Sequence, residues 1–214
     1  MNIFRNCLLV LSSIFISVLF IELILTIFFP QAKNGSWRVQ NDDGIYLNKN
    51  NGTAKHEFFG SKEKVSVTYK FGEYNNRVIL DDIYSQNKNR VLVLGDSNVF
   101  GWLLDDQDLF ITKLQQSYSN YYFINASAGG FSDADMYLYL KRYCKTINPK
   151  FILFFIDVDR VIRKQSLDIN NKNELIIKKN EINKFKEFLN EKKFYNYLIE
   201  NSNLFKFIKK IYII

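Results

Sequence analysis

The sequence predicts an α/β protein with a parallel sheet, carried behind an N-terminal membrane-spanning helix. Three observations predict it. An apolar run fills the N-terminus, and three shorter apolar runs follow at a spacing of about thirty residues, the length of a βαβ unit. Each of the three also ends in small or polar residues. With 214 residues, the chain has room for one ordinary core once the first segment is set aside.

Residues 7–29, "CLLVLSSIFISVLFIELILTIFF", form the first element. As a helix this run rises roughly 34 Å, enough to cross a bilayer core. A cleaved signal peptide has a shorter apolar centre, followed by small residues at the cut. Here "FFPQAKNG" offers only Ala32, so residues 1–30 read as an uncleaved signal anchor in contact with membrane lipid. Glu22 falls in the last third of the run, where it is expected to be partly relieved by the interface or protonated.

Residues 31–64 are polar, with turn signals in "NGSWRVQNDDG" and "NKNNGTAK" and no sustained periodicity, and read as a stalk. "VSVTYKF", 65–71, alternates as a half-buried strand does. The runs "RVLVL" (90–94), "YYFIN" (121–125) and "FILFFI" (151–156) are continuous, as strands covered on both faces are. Between the first two, a helix is expected from Asp105 or Asp106, whose carboxylates suit its positive end. Between the last two, a helix is expected from Ser132, with Asp135 three residues on and Pro149 beyond its end. The α/β domain is placed at 65–165 and a basic helical tail at 166–214.

The net charge is +7, which would suit a nucleic-acid binder if it were spread over the fold. It is confined to the tail: residues 160–214 hold 13 Lys+Arg against 6 Asp+Glu, and the rest of the chain balances. Lipid headgroups are the better partner, and nucleic acid is not expected. Cys7 and Cys144 are too far apart in role and sequence for a structural bridge. One histidine and no Cys-x-x-Cys leave no zinc site, and no cofactor is expected.

In open parallel sheets, ligands collect at the carboxyl ends of the strands. The three runs end there in Gly95-Asp96-Ser97, in Asn125-Ala126-Ser127 with Gly129-Gly130 close behind, and in Asp157-Val158-Asp159. Three loops therefore converge on one rim.

"VLVLGDSNVFGW", then "INASAGGFS", then "NPKFILFFIDVDR" resemble the blocks of the GDSL/SGNH hydrolases, in particular their membrane-anchored cell-envelope members. The resemblance spans about 65–165 and implies a flavodoxin-like three-layer parallel sheet, here incomplete. It implies that Ser97 is the nucleophile and that the backbone N–H of Gly130 joins that of Ser97 at the oxyanion. It further implies ester (acetyl or acyl) hydrolysis or transfer on cell-surface carbohydrate. The domain would then lie on the extracytoplasmic, periplasmic side of a bacterial inner membrane, with a possible partner protein in envelope polysaccharide assembly.

Two departures stand against the matches. Asp159 occupies the position of the family's third oxyanion donor, an asparagine, and a carboxylate accepts where a donor is needed. The family's Asp-x-x-His is missing as well, since no histidine follows Ser97. His56, the sole histidine, reads as an exposed loop residue, so the resemblance is to a shortened or degenerate member. Two other readings use the same rim: a non-catalytic glycan-binding or scaffold protein, and a Mg²⁺ site made by Asp96, Asp157 and Asp159.

Overall fold

The structure, a computed structural model, describes residues 2–35, 37–40, 46–59, 63–79, 89–156, 167–169, 171, 175–177, 188–189 and 192–212. In chain order the elements are α1 (Asn2–Phe28), β1 (Lys33–Asn34), β2 (Arg38–Gln40), β3 (Tyr46–Asn48), β4 (Gly52–Phe59), β5 (Lys64–Phe71) and β6 (Arg77–Val78). Then come β7 (Asn89–Leu94), α2 (Ser97–Phe100), a 3₁₀ turn (Asp106–Asp108), α3 (Phe110–Ser117), β8 (Tyr121–Asn125), α4 (Asp133–Ile147) and β9 (Phe151–Phe154). The hairpin β10 (Leu167–Ile169) and β11 (Leu175–Ile177) and the helices α5 (Lys193–Asn201) and α6 (Asn203–Tyr212) follow. The chain divides into two compact units. One comprises Met1–Gly35, Lys55–Ser66 and Phe188–Ile214, the other Ser36–Ala54 and Val67–Glu187.

The second unit is mixed α/β, and its central strands are parallel, with β7 between β8 and β9. Alternate residues of β7 serve different faces, as the period of two requires. Leu92 and Leu94 join Ile124, Phe131, Met136, Leu138 and Tyr139 in one core, covered by α4. Val91 and Val93 join Val99 and Ile111 in another, covered by α2 and α3. Burial on both faces is why this strand reads as a continuous apolar run. β9 is buried less: Phe151, Ile152 and Phe154 stay exposed.

β6 extends the parallel strands on the β8 side, antiparallel to β8 and to β5. The capping box expected at Ser132 is present: its hydroxyl accepts from the Asp135 N–H, and Asp135 accepts from the Ser132 N–H. α4 ends at Ile147, ahead of Asn148 in the left-handed region and Pro149. The helix expected from Asp105 or Asp106 begins as the 3₁₀ turn, and α3 proper starts at Phe110.

The segment read as a stalk is folded. It carries β1 to β4, with Leu47, Ala54, His56 and Glu57 buried. Leu47 and Ala54 join apolar clusters, while His56 and Glu57 are buried with polar partners, to which a hydropathy pattern is blind. Likewise the tail is not helical throughout: β10 and β11 pair antiparallel before the helices begin.

The first unit centres on α1, of which Ile3–Phe28 is long and apolar enough to cross a membrane. β1 pairs antiparallel with β4, α5 packs on β1, and α6 packs on α1. Both carboxylate oxygens of Glu22 face the start of α6. Oε1 accepts from Asn203 N–H at 2.6 Å and from Asn203 Nδ2 at 3.2 Å. Oε2 accepts from Leu204 N–H at 2.9 Å and from the Ser202 hydroxyl at 2.8 Å. The charge inside the apolar run is thus the cap of another helix.

Candidate active site at the strand ends

β7 ends at Leu94, and Gly95 turns the chain. A Cβ on Gly95 would stand 2.5 Å from the Val99 side chain, so this turn closes only around glycine. Asp96 caps the short helix that follows, its Oδ1 accepting from the Asn98 N–H at 2.8 Å. Ser97 is the first residue of α2 and is half-buried. Its carbonyl accepts from the N–H groups of Gly101 and Trp102, at 3.1 and 3.0 Å. Among the described residues neither its own N–H nor its hydroxyl is engaged by a hydrogen bond.

The second rim loop is tied to the first. Ala128 N–H donates to the Gly95 carbonyl at 3.2 Å, and Ser127 N–H to Asn125 Oδ1 at 3.2 Å. Gly130 sits at φ 78 and is exposed, and its N–H has no hydrogen-bond partner among the described residues. A non-glycine residue there would be strained. The first and second rim loops therefore meet as expected. The third is joined at its start, where Phe155 N–H donates to the Leu94 carbonyl at 2.9 Å. Asp157 and Asp159 lie outside the described residues.

Four residues at this rim escaped the sequence reading. Trp37 lies over Gly129, where a Cβ would meet its ring at 2.5 Å, and its ring stacks on Tyr69 and meets Phe100 at a tilt. Arg38, the next residue and the first of β2, brings Nη1 to 3.4 Å from where a Cβ on Gly130 would stand. Its guanidinium rests over the Tyr46 ring at 4.8 Å, and its buried Nε has no hydrogen-bond partner among the described residues. Burial lowers the Arg38 pKa from its ordinary value, and Asp135 opposes that shift. Asn48, from β3, donates to the Ser127 and Asn75 carbonyls at 2.9 and 3.0 Å, which fixes the β2–β3 hairpin against the second loop.

Arg77 is the fourth. Fully buried, it donates to the carbonyls of Phe100, Gly101 and Leu104 at 3.0, 2.8 and 2.8 Å and pairs with Asp106 at 2.7 Å. It lies face-on to Tyr69 and Phe100. The loop leaving the Ser97 turn is therefore wrapped around one guanidinium, and Tyr69 holds the same loop by accepting from Leu103 N–H at 2.9 Å. Five donors in a rigid fork suit a string of carbonyls, and this use of arginine leaves no trace in a hydropathy pattern.

His56 corrects the expectation of an exposed loop residue. It is buried on β4, in the first unit, with Nε2 3.1 Å from the Gly35 carbonyl. A carbonyl only accepts, so Nε2 carries the proton there. Burial is the main cause that lowers its pKa to about 4. Among the described residues, no three His, Cys, Asp or Glu side chains are grouped to hold a metal.

The fold and rim define a mixed α/β protein with a half-buried serine just beyond its central parallel strand. Comparison of the chain with protein-family models, curated proteins and solved structures finds no match.

Proposed function

We propose that this chain is a membrane-anchored, SGNH-like serine hydrolase or transferase acting on acetyl or acyl esters of cell-surface carbohydrate, with its rim on the extracytoplasmic side. The observation that carries the reading is that, among the described residues, the N–H groups of Ser97 and Gly130 and the Ser97 hydroxyl have no hydrogen-bond partner, on two loops joined through Ala128 and Gly95. In the proposed reaction the Ser97 oxygen attacks the ester carbonyl, and the negative charge passes to the carbonyl oxygen. The two N–H groups donate to that oxygen, each worth about a hundredfold to a thousandfold in rate. Collapse expels the sugar alkoxide, which takes the serine proton, and leaves an acyl-serine for water or a second alcohol.

Arg38 supports the same reading. Its guanidinium beside Gly130 supplies donors to the rim, and the sequence carries Asp159 where the resembled family has an asparagine donor. The proton acceptor for Ser97 is not His56 in this reading, because Nε2 is committed to Gly35. That observation favours the second reading, a rim that holds the ester without turning it over.

A fluorophosphonate probe separates the two. The serine-enzyme reading expects stoichiometric labelling at Ser97, lost in Ser97→Ala, and Ser97-dependent turnover of p-nitrophenyl acetate. Absence of labelling on a folded, full-length chain would leave the binding reading in place.

A further inference from the structure

Where α1 ends, the first unit gathers cations. Pro30, Gln31, Ala32, Lys206, Lys209 and Lys210 line a cavity of about 500 Å³. Among the described residues none of the three lysines has an ion-pair partner. Lys209 donates weakly to the Tyr195 hydroxyl at 3.4 Å. Burial holds Lys206 down at about 8, with Lys209 adding to the effect and Glu200 opposing it. Such a group gains most from an anion brought to it.

The helix that carries these lysines is placed at a definite depth. Glu22 fixes the start of α6 at a point on α1 six residues before Phe28, about 9 Å along the helix axis. Amphipathic helices lying in a membrane interface sit about 5–10 Å into the headgroup and acyl boundary. α6 has the matching surface: Phe207, Ile208 and Ile211 are exposed in the same unit as the exposed Ile27 and Phe28 of α1. Apolar side chains left in the open beside a candidate span, with lysines around a cavity, are complementary to acyl chains below and phosphates above.

We propose that α6 is an interfacial helix and that Lys206, Lys209 and Lys210, with the turn at 30–32, bind the phosphodiester headgroup of an anionic phospholipid. The proposal rests on the reading of α1 as a membrane span. Glu22 is the clasp that holds the site at headgroup depth, which gives a carboxylate inside an apolar run a structural reason.

The test uses the full chain. A carbonate wash of membranes comes first, and release of the chain would remove the span reading beneath the proposal. The protein is then reconstituted into mixed phosphatidylglycerol and phosphatidylcholine nanodiscs, extracted into detergent, and its retained lipid counted by native mass spectrometry. Wild type should keep phosphatidylglycerol over phosphatidylcholine, and excess inorganic phosphate should not displace it. The Lys206→Gln/Lys209→Gln/Lys210→Gln variant should lose about fivefold of that preference per lysine. The corresponding triple arginine variant should keep it. Should the glutamine variant melt early, Lys210→Gln alone, at an exposed position, carries the same fivefold expectation. Equal retention of both lipids by wild type, unchanged preference in the folded glutamine variants, or displacement by inorganic phosphate would overturn the proposal.

Discussion

Arg38 is set between an attraction and a desolvation, and its Nε has nothing to donate to within the described fold. A buried donor left unmade costs about 1–3 kcal/mol, and in the proposed reading that donor is free for an ester oxygen at the rim. Arg38→Met should lower Ser97-dependent turnover by about tenfold to a hundredfold if the guanidinium donates in the transition state. Its melting temperature should hardly change, because the unmade donor leaves with the side chain. His56 gives a second residue-scale expectation. Unfolded, its imidazole titrates near 6.5; folded, near 4. Below 6.5 the unfolded chain gains a proton that the folded chain refuses, so stability is full above that pH and falls as pH drops through about 4. The loss approaches about 3 kcal/mol. Urea unfolding in detergent from pH 7 to pH 4 measures it, and His56→Gln, which can still donate to Gly35, should flatten that slope.

At the scale of elements, the loop after α2 depends on β6 more than on its own sequence. Arg77 supplies donors to three of its carbonyls and a partner to Asp106. Arg77→Met keeps much of the volume and strands all of those acceptors, and should cost about 3 kcal/mol or more. A fall in urea midpoint checks it, and slower fluorophosphonate labelling of Ser97 at native pH would show that the loop positions the serine. The helices whose start and stop are written locally were legible in advance: Ser132 and Asp135 close their own box, and Asn148 and Pro149 end α4. The start of α3 was less so, because Asp105 and Asp106 mark a helical turn without saying that it is 3₁₀, and Arg77 then engages one of the two carboxylates.

For the whole molecule, the reading places the rim outside the cytoplasm. With Cys7→Ser and Cys144→Ser as background, cysteine placed at the exposed Asn50 should react with a membrane-impermeant maleimide in intact cells. Reaction only after lysis would reverse the orientation. The glycine and serine positions at the strand ends, the βαβ spacing and the apolar span were each decided by local pattern. The sequence by itself located the parallel strands, with "YYFIN" matching β8 residue for residue; the rule that a strand buried on both faces must be apolar throughout accounts for β7, whereas β9 is apolar and stays largely exposed. What only the tertiary structure decided is everything held by polar groups from distant positions. Asn48 seats a hairpin in a segment that reads as a stalk, Arg77 organises the loop beyond Ser97, Arg38 arrives beside Gly130, and Glu22 caps a helix some 180 residues later. A hydrogen bond needs only direction and distance at its two ends, so it leaves no periodicity along the chain, whereas apolar burial repeats with the pitch of the element that carries it.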